Sequence, residues 1–423
     1  MAETPRFTVK SLGEHLKMSR RGFLTGTAGV AAAGALSACT EPTHDADAVG
    51  VDQTVAQEIE PFDGIHQSGI ATPAQAHLIV LGLNCRAGVD SAAVRRLLTL
   101  WTEDARELTQ ARSPVGNLEP EMTSSPSRLT VTAGAGARLF DILGKSEMKP
   151  AWLKDIPVFS KDRLDPRWGQ TDLVLQICSD DPMTAAFAMR HMTRSGSDYA
   201  EVKWVQQGFL NARGTLQKGE TPRNLFGQKD GTINPHTAEE FDKQVWIDDE
   251  DDSPRWMHGG TCMVVRRISM NLDTWERLDR QSREVAIGRD IVEGAPLSGK
   301  KEHDSADYEA VDEYGLPKID ARSHMALATA PSDLPNQRLL RRAYTYNETP
   351  MVGTDQLSNA GLVFCCFQKD PRKQFIPIQQ RLDASDRLNE WIKHIGSAVY
   401  AIFPGTDQKK TESSIWGAAL FDS

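Results

Sequence analysis

The sequence of 423 residues is poor in recognisable metal-site patterns and has no long apolar run. Its six cysteines and ten histidines show no metal-ligand spacing, and the absence of an HExxH pair excludes the common zinc sites. No internal stretch reaches the roughly 18 apolar residues that a membrane-spanning helix needs. With 39% hydrophobic and 25% charged residues, the composition is typical of a soluble globular protein.

Two widespread catalytic motifs are also missing. The chain has neither a Gly-x-Ser-x-Gly nucleophile elbow nor a glycine-rich phosphate loop ending in Lys-Ser or Lys-Thr. An excess of basic residues is missing too, because 58 acidic residues face 48 basic ones and the net charge is -10. Phosphate binding needs clustered lysine and arginine, so this balance argues against a nucleic-acid partner.

The first 38 residues carry the clearest targeting signal. Ser19–Leu24 reads SRRGFL, a twin-arginine motif, and the uncharged run Gly22–Ala38 follows it. This pattern predicts a cleaved signal peptide and an extracytoplasmic location in the periplasm, the cell envelope or the medium. Twin-arginine export carries folded proteins, often with a cofactor inside. Cys39 ends a lipobox-like Leu-Ser-Ala-Cys, so the mature chain is either lipid-anchored at Cys39 or soluble after cleavage nearby.

The remaining cysteines each lie in an apolar, strand-like run. They are Cys85, Cys178, Cys262, Cys365 and Cys366. Buried cysteine behaves as a small hydrophobe, and this is the role we predict for all five. Adjacent residues of a strand point to opposite faces, so Cys365 and Cys366 are not expected to pair with each other.

Strand-like and helical patterns alternate after a polar, acidic linker over residues 39–60. The strand-like runs are 76–85, 127–136, 171–180, 202–210, 262–270, 361–368 and 398–405. The pattern over 271–289 predicts a single amphipathic helix. A similar order of elements occurs in residues 61–245 and 246–423. This repetition predicts an α+β fold with two duplicated halves rather than one doubly wound sheet.

Two local features carry the residues of chemical interest. In the run 224–235, NLFGQKDGTINP, Asp230 lies between glycines that allow a sharp turn or close approach to a flat ligand. An ordinary Asp-Gly turn explains the same letters. His324 follows a long loop, residues 294–320, that is rich in glycine, proline and charge. A histidine of the core or surface explains His324 equally, so local chemistry alone assigns no function.

A resemblance to a known family changes this reading. The motifs that carry it are Pro61–Ile70 with Thr72–Pro73, Gly227–Gly231, Trp256–Met257 with Gly259–Thr261, Val264–Ile268, His324, and Leu340–Arg342 with Tyr344. In this order they resemble the dye-decolourising peroxidases, in their exported branch associated with iron uptake. The GxxDG motif alone is weak, but the ordered set covers roughly residues 61–420.

The resemblance implies two ferredoxin-like halves and one haem b per chain. It implies that His324 is the axial ligand of the iron and that Asp230 and Arg341 lie on the opposite, peroxide-binding face. The residues implied to lie against the haem are Gly231, Thr232, Ile233, Thr329, Ala330, Pro331 and Arg341. Arg341 is preferred to Arg342 by alignment alone.

These residue types suit peroxide chemistry. Imidazole is a good ligand for haem iron, and a carboxylate at Asp230 is the candidate proton shuttle. The ordinary pKa of an aspartate lies near 4, which predicts an acidic optimum. Arg341 stays cationic and stabilises negative charge on the departing oxygen. A ligating histidine usually donates its second N–H to an acceptor, and rough alignment predicts Glu390 for that partner.

The sequence departs from the family pattern at two places. Ala326 stands two residues after His324, where the family more often has arginine, which predicts altered pairing of a haem propionate. Ala343 stands where glycine is usual after the arginine pair. Some relatives carry a distal asparagine at this same place, so no such asparagine is expected here.

The resemblance implies an enzyme that uses hydrogen peroxide to oxidise an organic, phenolic or dye donor. A second possibility is a haem-handling protein of the deferrochelatase kind, which releases iron from haem and meets iron-uptake components. A third is a binding module that kept the fold and lost haem, and retention of Asp230, His324 and Arg341 argues against it. A homodimer is expected.

Overall fold

The computed structural model describes residues 56–217, 219–410 and 414–421. The predicted signal peptide and Cys39 lie outside the described residues, as does most of the predicted linker. The last residues of that linker contact the folded body, because the Glu60 carboxylate accepts a 2.7 Å hydrogen bond from Arg128 Nε. Within the described ranges, no helix combines the length and apolar character needed to cross a membrane.

Eight antiparallel strands in the described residues form a closed barrel. Strands β1 to β4 are His77–Cys85, Thr130–Ala135, Leu173–Ser179 and Ala200–Phe209. Strands β5 to β8 are Thr261–Met270, Leu340–Glu348, Asn359–Gln368 and Ile392–Ile402. The order around the barrel is β1-β3-β2-β8-β5-β7-β6-β4, so each half of the chain forms a continuous four-stranded sheet.

The two sheets repeat the same topology. Numbered within its own half, each sheet has the strand order 4-1-3-2. This is the arrangement of a ferredoxin-like unit, in which the first strand lies between the fourth and the third strands. The predicted α+β fold with duplicated antiparallel halves is therefore confirmed.

The two sheets meet along narrow seams. Strands β2 and β8 pair at Gly134 with Ile402 and at Ala135 with Ala401. Strands β4 and β6 pair through Phe209 and Thr345. By contrast, pairing inside each sheet continues along most of each strand, as between β6 and β7. The backbone therefore joins the halves weakly, and side chains complete the contact between them.

The helices cover the outside of the sheets. Helices α1 to α4 are Ser91–Thr109, Ala137–Leu143, Pro182–Ser195 and Ala238–Gln244. Helices α5 to α8 are Leu272–Trp275, Arg280–Ile287, His324–Ala328 and Phe375–Ser385. Short 3-10 turns lie at 120–123, 146–148, 166–168, 255–257, 387–390 and 418–420.

One local prediction was wrong, and one strand was not predicted. The single helix predicted over 271–289 is split into α5 and α6, because the Asp279 side chain accepts the Ser282 N–H at 2.8 Å and starts a new helix. Strand β6 was not predicted, because its two arginines and its polar C-terminal end interrupt the apolar run that indicates a strand.

The strands bury both of their faces. One set of alternating side chains, including Tyr344 and Tyr400, forms a core cluster to which strands of both halves contribute residues. The other set packs under the helices, with Trp101 and Phe140 among the largest members of that cluster. The five cysteines in the described residues are free and buried, which confirms the prediction that they act as small hydrophobes.

Candidate functional site

Asp230 lies in a tight loop that connects β4 to α4. The loop closes on itself because the Asp230 N–H donates to Pro222 O at 2.9 Å and Arg223 bridges to Lys229. Gly231 has φ +121, a conformation that other residues rarely adopt, so the glycine after the acid is needed for this turn. The Asp230 side chain keeps about a fifth of its surface exposed. The loop thus presents a carboxylate rather than burying it.

Arg341 on β6 faces this carboxylate. Its Nη2 lies 3.6 Å from Asp230 Oδ1, although the two residues are 111 positions apart. Within the described residues, the buried Arg341 Nε has no hydrogen-bond partner. Neighbouring residues of a strand point to opposite faces, and Arg342 is instead buried in the barrel, where its Nη1 donates to Thr72 O and its Nη2 to Gln75. The structure therefore brings Arg341, and not Arg342, to Asp230.

His324 is the first residue of helix α7. Its Nδ1 lies 2.7 Å from Asp386 Oδ2, and the Asp386 side chain is 1% exposed. A carboxylate only accepts hydrogen bonds, so Nδ1 carries the proton and the Nε2 lone pair is left for another partner. Burial opposes the charged imidazole, but the Asp386 carboxylate outweighs it and raises the pKa of His324. The positive charge of Arg341 lowers this pKa and the negative charge of Asp230 raises it, both by less than Asp386 does.

The prediction of Glu390 as the partner of His324 was wrong. Glu390 is an exposed residue of the 3-10 turn 387–390, and Asp386 stands just before that turn. Asp386 Oδ1 accepts the Leu388 N–H at 2.9 Å, so this oxygen caps the turn while Oδ2 takes the imidazole. The same carboxylate thus fixes its own orientation and that of the ring. In the sequence, Asp386 can be recognised as a residue that caps the turn, but its contact with His324 cannot be recognised.

Asp386→Asn is expected to weaken haem binding about 10- to 100-fold, as loss of a charged partner of a metal-ligating histidine usually does. The amide keeps the shape of the side chain and removes the charge that increases the basicity of the imidazole. The measurements are haem titration and the iron–histidine stretching frequency in resonance Raman, which should fall. Glu390→Gln is the matched control and should change neither value. A drop in Glu390→Gln with none in Asp386→Asn would contradict the assignment.

The end of α7 is fixed by a second long-range contact. Arg381 on α8 donates from Nε to Leu327 O at 2.9 Å, and its Nη1 donates to Gln337 Oε1 at 2.6 Å. A cation at the last carbonyls of a helix is favourable because those carbonyls lack partners within the helix. At the other end, Gly288 has φ +92, and a Cβ there would lie 2.8 Å from Ser323 Oγ. Close packing on both sides therefore positions the His324 segment.

The other predicted haem-lining residues lie on the same two loops. Thr232 is buried and donates to Glu302 Oε1 at 3.0 Å, whereas Ile233 is 49% exposed. Thr329 closes α7, and its hydroxyl lies 2.6 Å from Tyr308 Oη. Ala330 and Pro331 follow it and are half-buried. Gly231 through Ile233 thus continue from Asp230, and Thr329 through Pro331 continue from the helix of His324.

Arg289 is a site residue that the sequence analysis missed. It lies directly after the turn at Gly288, and its Nη1 donates to Gly294 O at 2.7 Å and to Glu302 O at 2.9 Å. In the described part of the chain, no carboxylate lies within ion-pair distance of it. Burial and the positive charge of Arg341 lower the pKa of Arg289. Two guanidinium groups therefore act on each other, and Arg289 forms no direct ion pair among the described residues, although the charges of Glu302 and Asp290 act on it at longer range.

Glu302 connects the long loop to the Asp230 turn. Its Oε2 accepts from Lys229 Nζ at 2.7 Å, and its Oε1 accepts from the Thr232 hydroxyl. Both charged side chains of the pair with Lys229 keep only a tenth of their surface exposed. The carboxylate thus holds the residues on either side of Asp230-Gly231. The loop over 294–320, predicted only as a functional loop, supplies this contact.

Glu302→Gln is expected to lower the free energy of unfolding at pH 7 by about 3 kcal/mol, since breaking a nearly buried ion pair leaves the Lys229 ammonium unpaired. Burial raises the pKa of Glu302, but hydrogen bonds from Lys229, Thr221 and Thr232 outweigh it and lower that pKa overall. The contribution is therefore present above the unfolded pKa, about 4.3, and is lost as pH falls through the folded value. Urea unfolding at several pH values measures it.

The difference between the wild type and Glu302→Gln should thus shrink below about pH 4. Glu239→Gln is the control, because Glu239 forms an exposed pair with Lys243 one helical turn away and should cause no measurable change. A stability loss in Glu302→Gln that stayed constant down to pH 3 would mean that the charge of Glu302 is not its source.

The residues of this region fit a haem group. His324 Nε2 is left for an axial bond, because Nδ1 is engaged by Asp386. Haem b carries two carboxylates, and Arg289 supplies a guanidinium without an acid partner in the described chain. Arg341 Nε is a buried donor without a partner among the described residues. An anionic ligand with a metal at its centre satisfies all three groups.

Comparison with known proteins gives the same assignment. Residues 67–210 match the family described as Dyp-type peroxidase, N-terminal, and residues 221–407 match Dyp-type peroxidase, C-terminal. The chain is 36% identical over 410 residues to a dye-decolorizing peroxidase of Thermobifida fusca, covering 91% of this chain and 94% of that protein. It is 33% identical over 420 residues to a deferrochelatase of Escherichia coli O6:K15:H31, covering 95% and 96%.

A solved structure agrees with both matches. The crystal structure of a DyP-type peroxidase from Cellulomonas bogoriensis is 42% identical, with a TM-score of 0.82 over 87% of this chain and 99% of that chain. Sequence match and shared fold thus extend over both sheets and over the loops that carry Asp230 and His324. The chain belongs to the Dyp-type peroxidase family and is a haem-dependent peroxidase.

Proposed function

We propose that this protein uses hydrogen peroxide to oxidise organic, phenolic or dye donors, with Asp230 and Arg341 on the distal side of the haem and His324 on the proximal side. The observation that carries the proposal is the Asp230–Arg341 pair, 3.6 Å apart, whose charges both act on His324. An acid-base group and a fixed cation on one side of a haem ligand are the groups that peroxide activation needs.

Several residues hold the haem in this proposal. His324 Nε2 binds the iron, and Asp386 keeps the imidazole in the required tautomer. Arg289 pairs with a haem carboxylate and offers the cation that Ala326 does not. The residues proposed to lie against the ring are Gly231, Thr232, Ile233, Thr329, Ala330, Pro331 and Arg341. When bound, the haem would supply the two electrons that reduce peroxide and would recover electrons from the donor, a redox chemistry that no side chain of the protein provides.

The distal residues move the protons in this scheme. The Asp230 carboxylate would accept a proton from one oxygen of the peroxide and deliver it to the other oxygen, which could then leave as water when the haem provides two electrons. Arg341 keeps its charge at any working pH, so its guanidinium stabilises the outer oxygen while negative charge develops there. The 3.6 Å separation also lets Arg341 orient the carboxylate. The chain therefore contributes one proton carrier and one fixed positive charge.

A second function is favoured by a different observation. Deferrochelatase relatives match almost the whole chain, at 33% identity over 95% of it. In this second function the protein binds haem as a substrate, releases the iron of the haem and interacts with components of an iron-uptake system. The same His324 site would bind the haem, so geometry alone favours neither outcome. The two functions differ in their products.

One experiment separates them. Haem-loaded protein receives one equivalent of hydrogen peroxide while its Soret band is followed, and then an aromatic donor is added. A Soret change that the donor reverses supports the peroxidase proposal. In parallel, ferrozine-reactive iron and protoporphyrin are measured after incubation with haem and reductant. Stoichiometric iron release with intact protoporphyrin, and no response of the Soret band to peroxide, would replace the first function by the second.

We also propose that the chain is exported by the twin-arginine pathway and works outside the cytoplasm. The support is the SRRGFL motif and the uncharged run before Cys39. Mass spectrometry of the mature N-terminus tests this proposal and decides between a lipid-bearing Cys39 and a soluble form. The halves we propose remain residues 61–245 and 246–423.

A further inference from the structure

Asn234 makes an unusual contact with the distal arginine. Its Nδ2 donates to Arg341 O at 2.7 Å, and its Oδ1 accepts the Arg341 N–H at 2.9 Å. Both polar groups of one side chain thus bond to both backbone groups of one residue, 107 positions away. A side-chain amide has the same donor and acceptor as a peptide group, so Asn234 imitates one residue of a neighbouring strand.

The topology explains why this place needs such a substitute. Arg341 is paired with Cys366 of β7, yet its own N–H and C=O bond to Asn234, so they point away from β7. On that side the neighbouring strand is β4, which pairs with β6 through Phe209 and Thr345. Arg341 lies four residues before Thr345. At this part of the seam, Asn234 makes the two backbone hydrogen bonds with Arg341 that a residue of β4 would otherwise make.

Asn234 is also joined to Asp230 through a short turn. The Asn234 N–H donates to Gly231 O at 3.0 Å, which closes a turn directly after the acid. Pro235 follows and is buried, which further restricts the backbone. The path from Asp230 to the Arg341 backbone therefore runs through one closed turn and two hydrogen bonds, without a flexible segment.

We infer that Asn234 is a positioning residue that fixes the Arg341 guanidinium relative to Asp230. The inference rests on the proposed function, because it matters only if Asp230 and Arg341 act together on peroxide. A direct pair at 3.6 Å is close to the limit of contact, and small displacements of reacting groups cost large factors in rate. Fixing the backbone of Arg341 to the loop of Asp230 keeps this distance constant.

The first test compares the rate constants for reaction with peroxide in four haem-loaded proteins: wild type, Asn234→Ala, Arg341→Leu and the double variant. We expect Asn234→Ala to react about 10-fold more slowly, since a displacement of about 1 Å can cost up to 100-fold. In the Arg341→Leu background, Asn234→Ala should cause no further loss. A double-mutant cycle detects coupling of this kind. If Asn234 had a merely structural role, Asn234→Ala would slow the reaction by the same factor in the wild-type and in the Arg341→Leu backgrounds.

The second test reads the position of Arg341 without turnover. Fluoride bound to the ferric protein accepts hydrogen bonds from a distal guanidinium. The affinity of the protein for fluoride therefore depends on the position of the Arg341 guanidinium. Asn234→Ala should bind fluoride more weakly and Arg341→Leu weaker still. Asn224→Ala is the control, because Asn224 lies in the same loop and its Oδ1 accepts only the nearby Phe226 N–H, at 3.0 Å. The control should keep the wild-type rate and fluoride affinity.

The outcomes distinguish the inference from the function beneath it. If Arg341→Leu reacts as fast as wild type, the proposed function fails. If Arg341→Leu is slow but Asn234→Ala matches wild type in rate and fluoride affinity, only the inference is overturned. An equal loss from Asn234→Ala in both backgrounds also overturns it. Should Asn234→Ala not fold, the isosteric Asn234→Asp keeps the acceptor for the Arg341 N–H, and a slower rate and weaker fluoride binding are expected there.

Discussion

Asp230→Asn is expected to slow the reaction with hydrogen peroxide by about 10²- to 10⁴-fold, the usual contribution of a positioned acid-base group. The asparagine side chain has the same shape, but its amide does not take up a proton at neutral or mildly acidic pH. Peroxide then loses its proton only to solvent, and no group of the protein returns a proton to the departing oxygen. Arg341 remains in place, so its electrostatic contribution persists.

The measurement is stopped-flow absorbance at the Soret band over a range of peroxide concentrations. The ratio of Soret to protein absorbance should equal that of wild type, because the loop of Asp230 is closed by its own backbone and by Glu302. Asp242→Asn is a suitable control, since Asp242 is an exposed carboxylate on α4. Wild-type peroxide kinetics in Asp230→Asn would assign proton transfer to water instead, with Arg341 contributing only its positive charge.

His324→Ala should have the largest effect on the cofactor itself. Loss of a partner of a ligating histidine costs about 10- to 100-fold in metal affinity, so loss of the ligand should exceed about 100-fold. The variant also leaves Asp386 buried, at 1% exposure, without the imidazole N–H that it accepts in the wild type. We therefore expect a weaker and broader Soret band after haem titration.

Added imidazole tests the cause of that loss. A free imidazole fits the space of the missing side chain and offers both an N–H for Asp386 and a lone pair for iron, so haem affinity should recover in part. His236→Ala is the control, because His236 is exposed on the loop that leads into α4. Unchanged haem affinity in His324→Ala would remove the axial role from this residue.

Near-continuous apolar runs predict most of the strands because both faces of each sheet are covered. Strand β6 is the exception, and its two arginines are the reason. Arg341 faces the site, while Arg342 is buried in the barrel and donates to Thr72 O and Gln75. Charged residues at consecutive positions obscure the period of a strand, although each side chain has its own polar partners. A functional strand is therefore the one that pattern predicts least well.

The candidate site depends on contacts between distant parts of the chain, which composition and spacing do not reveal. Asp230 and Arg341 were placed together by resemblance to a family, and the structure brings them to 3.6 Å. Asp386 was missed because its contact with His324 spans 62 residues, and alignment favoured Glu390 four positions further on. Arg289 was missed because an arginine without an acid partner has no signature in sequence. Tertiary contact decided each of these cases.

The narrow seams of the barrel have a consequence for how the molecule opens. Local opening requires the least free energy where few backbone hydrogen bonds must break, and here that place is the junction of β4 and β6 at Phe209 and Thr345. Strand β5 lies between β7 and β8 and is bonded along both edges. Amide protons along the seam should therefore exchange with solvent through local opening, whereas the amide protons of β5 should exchange only through global unfolding.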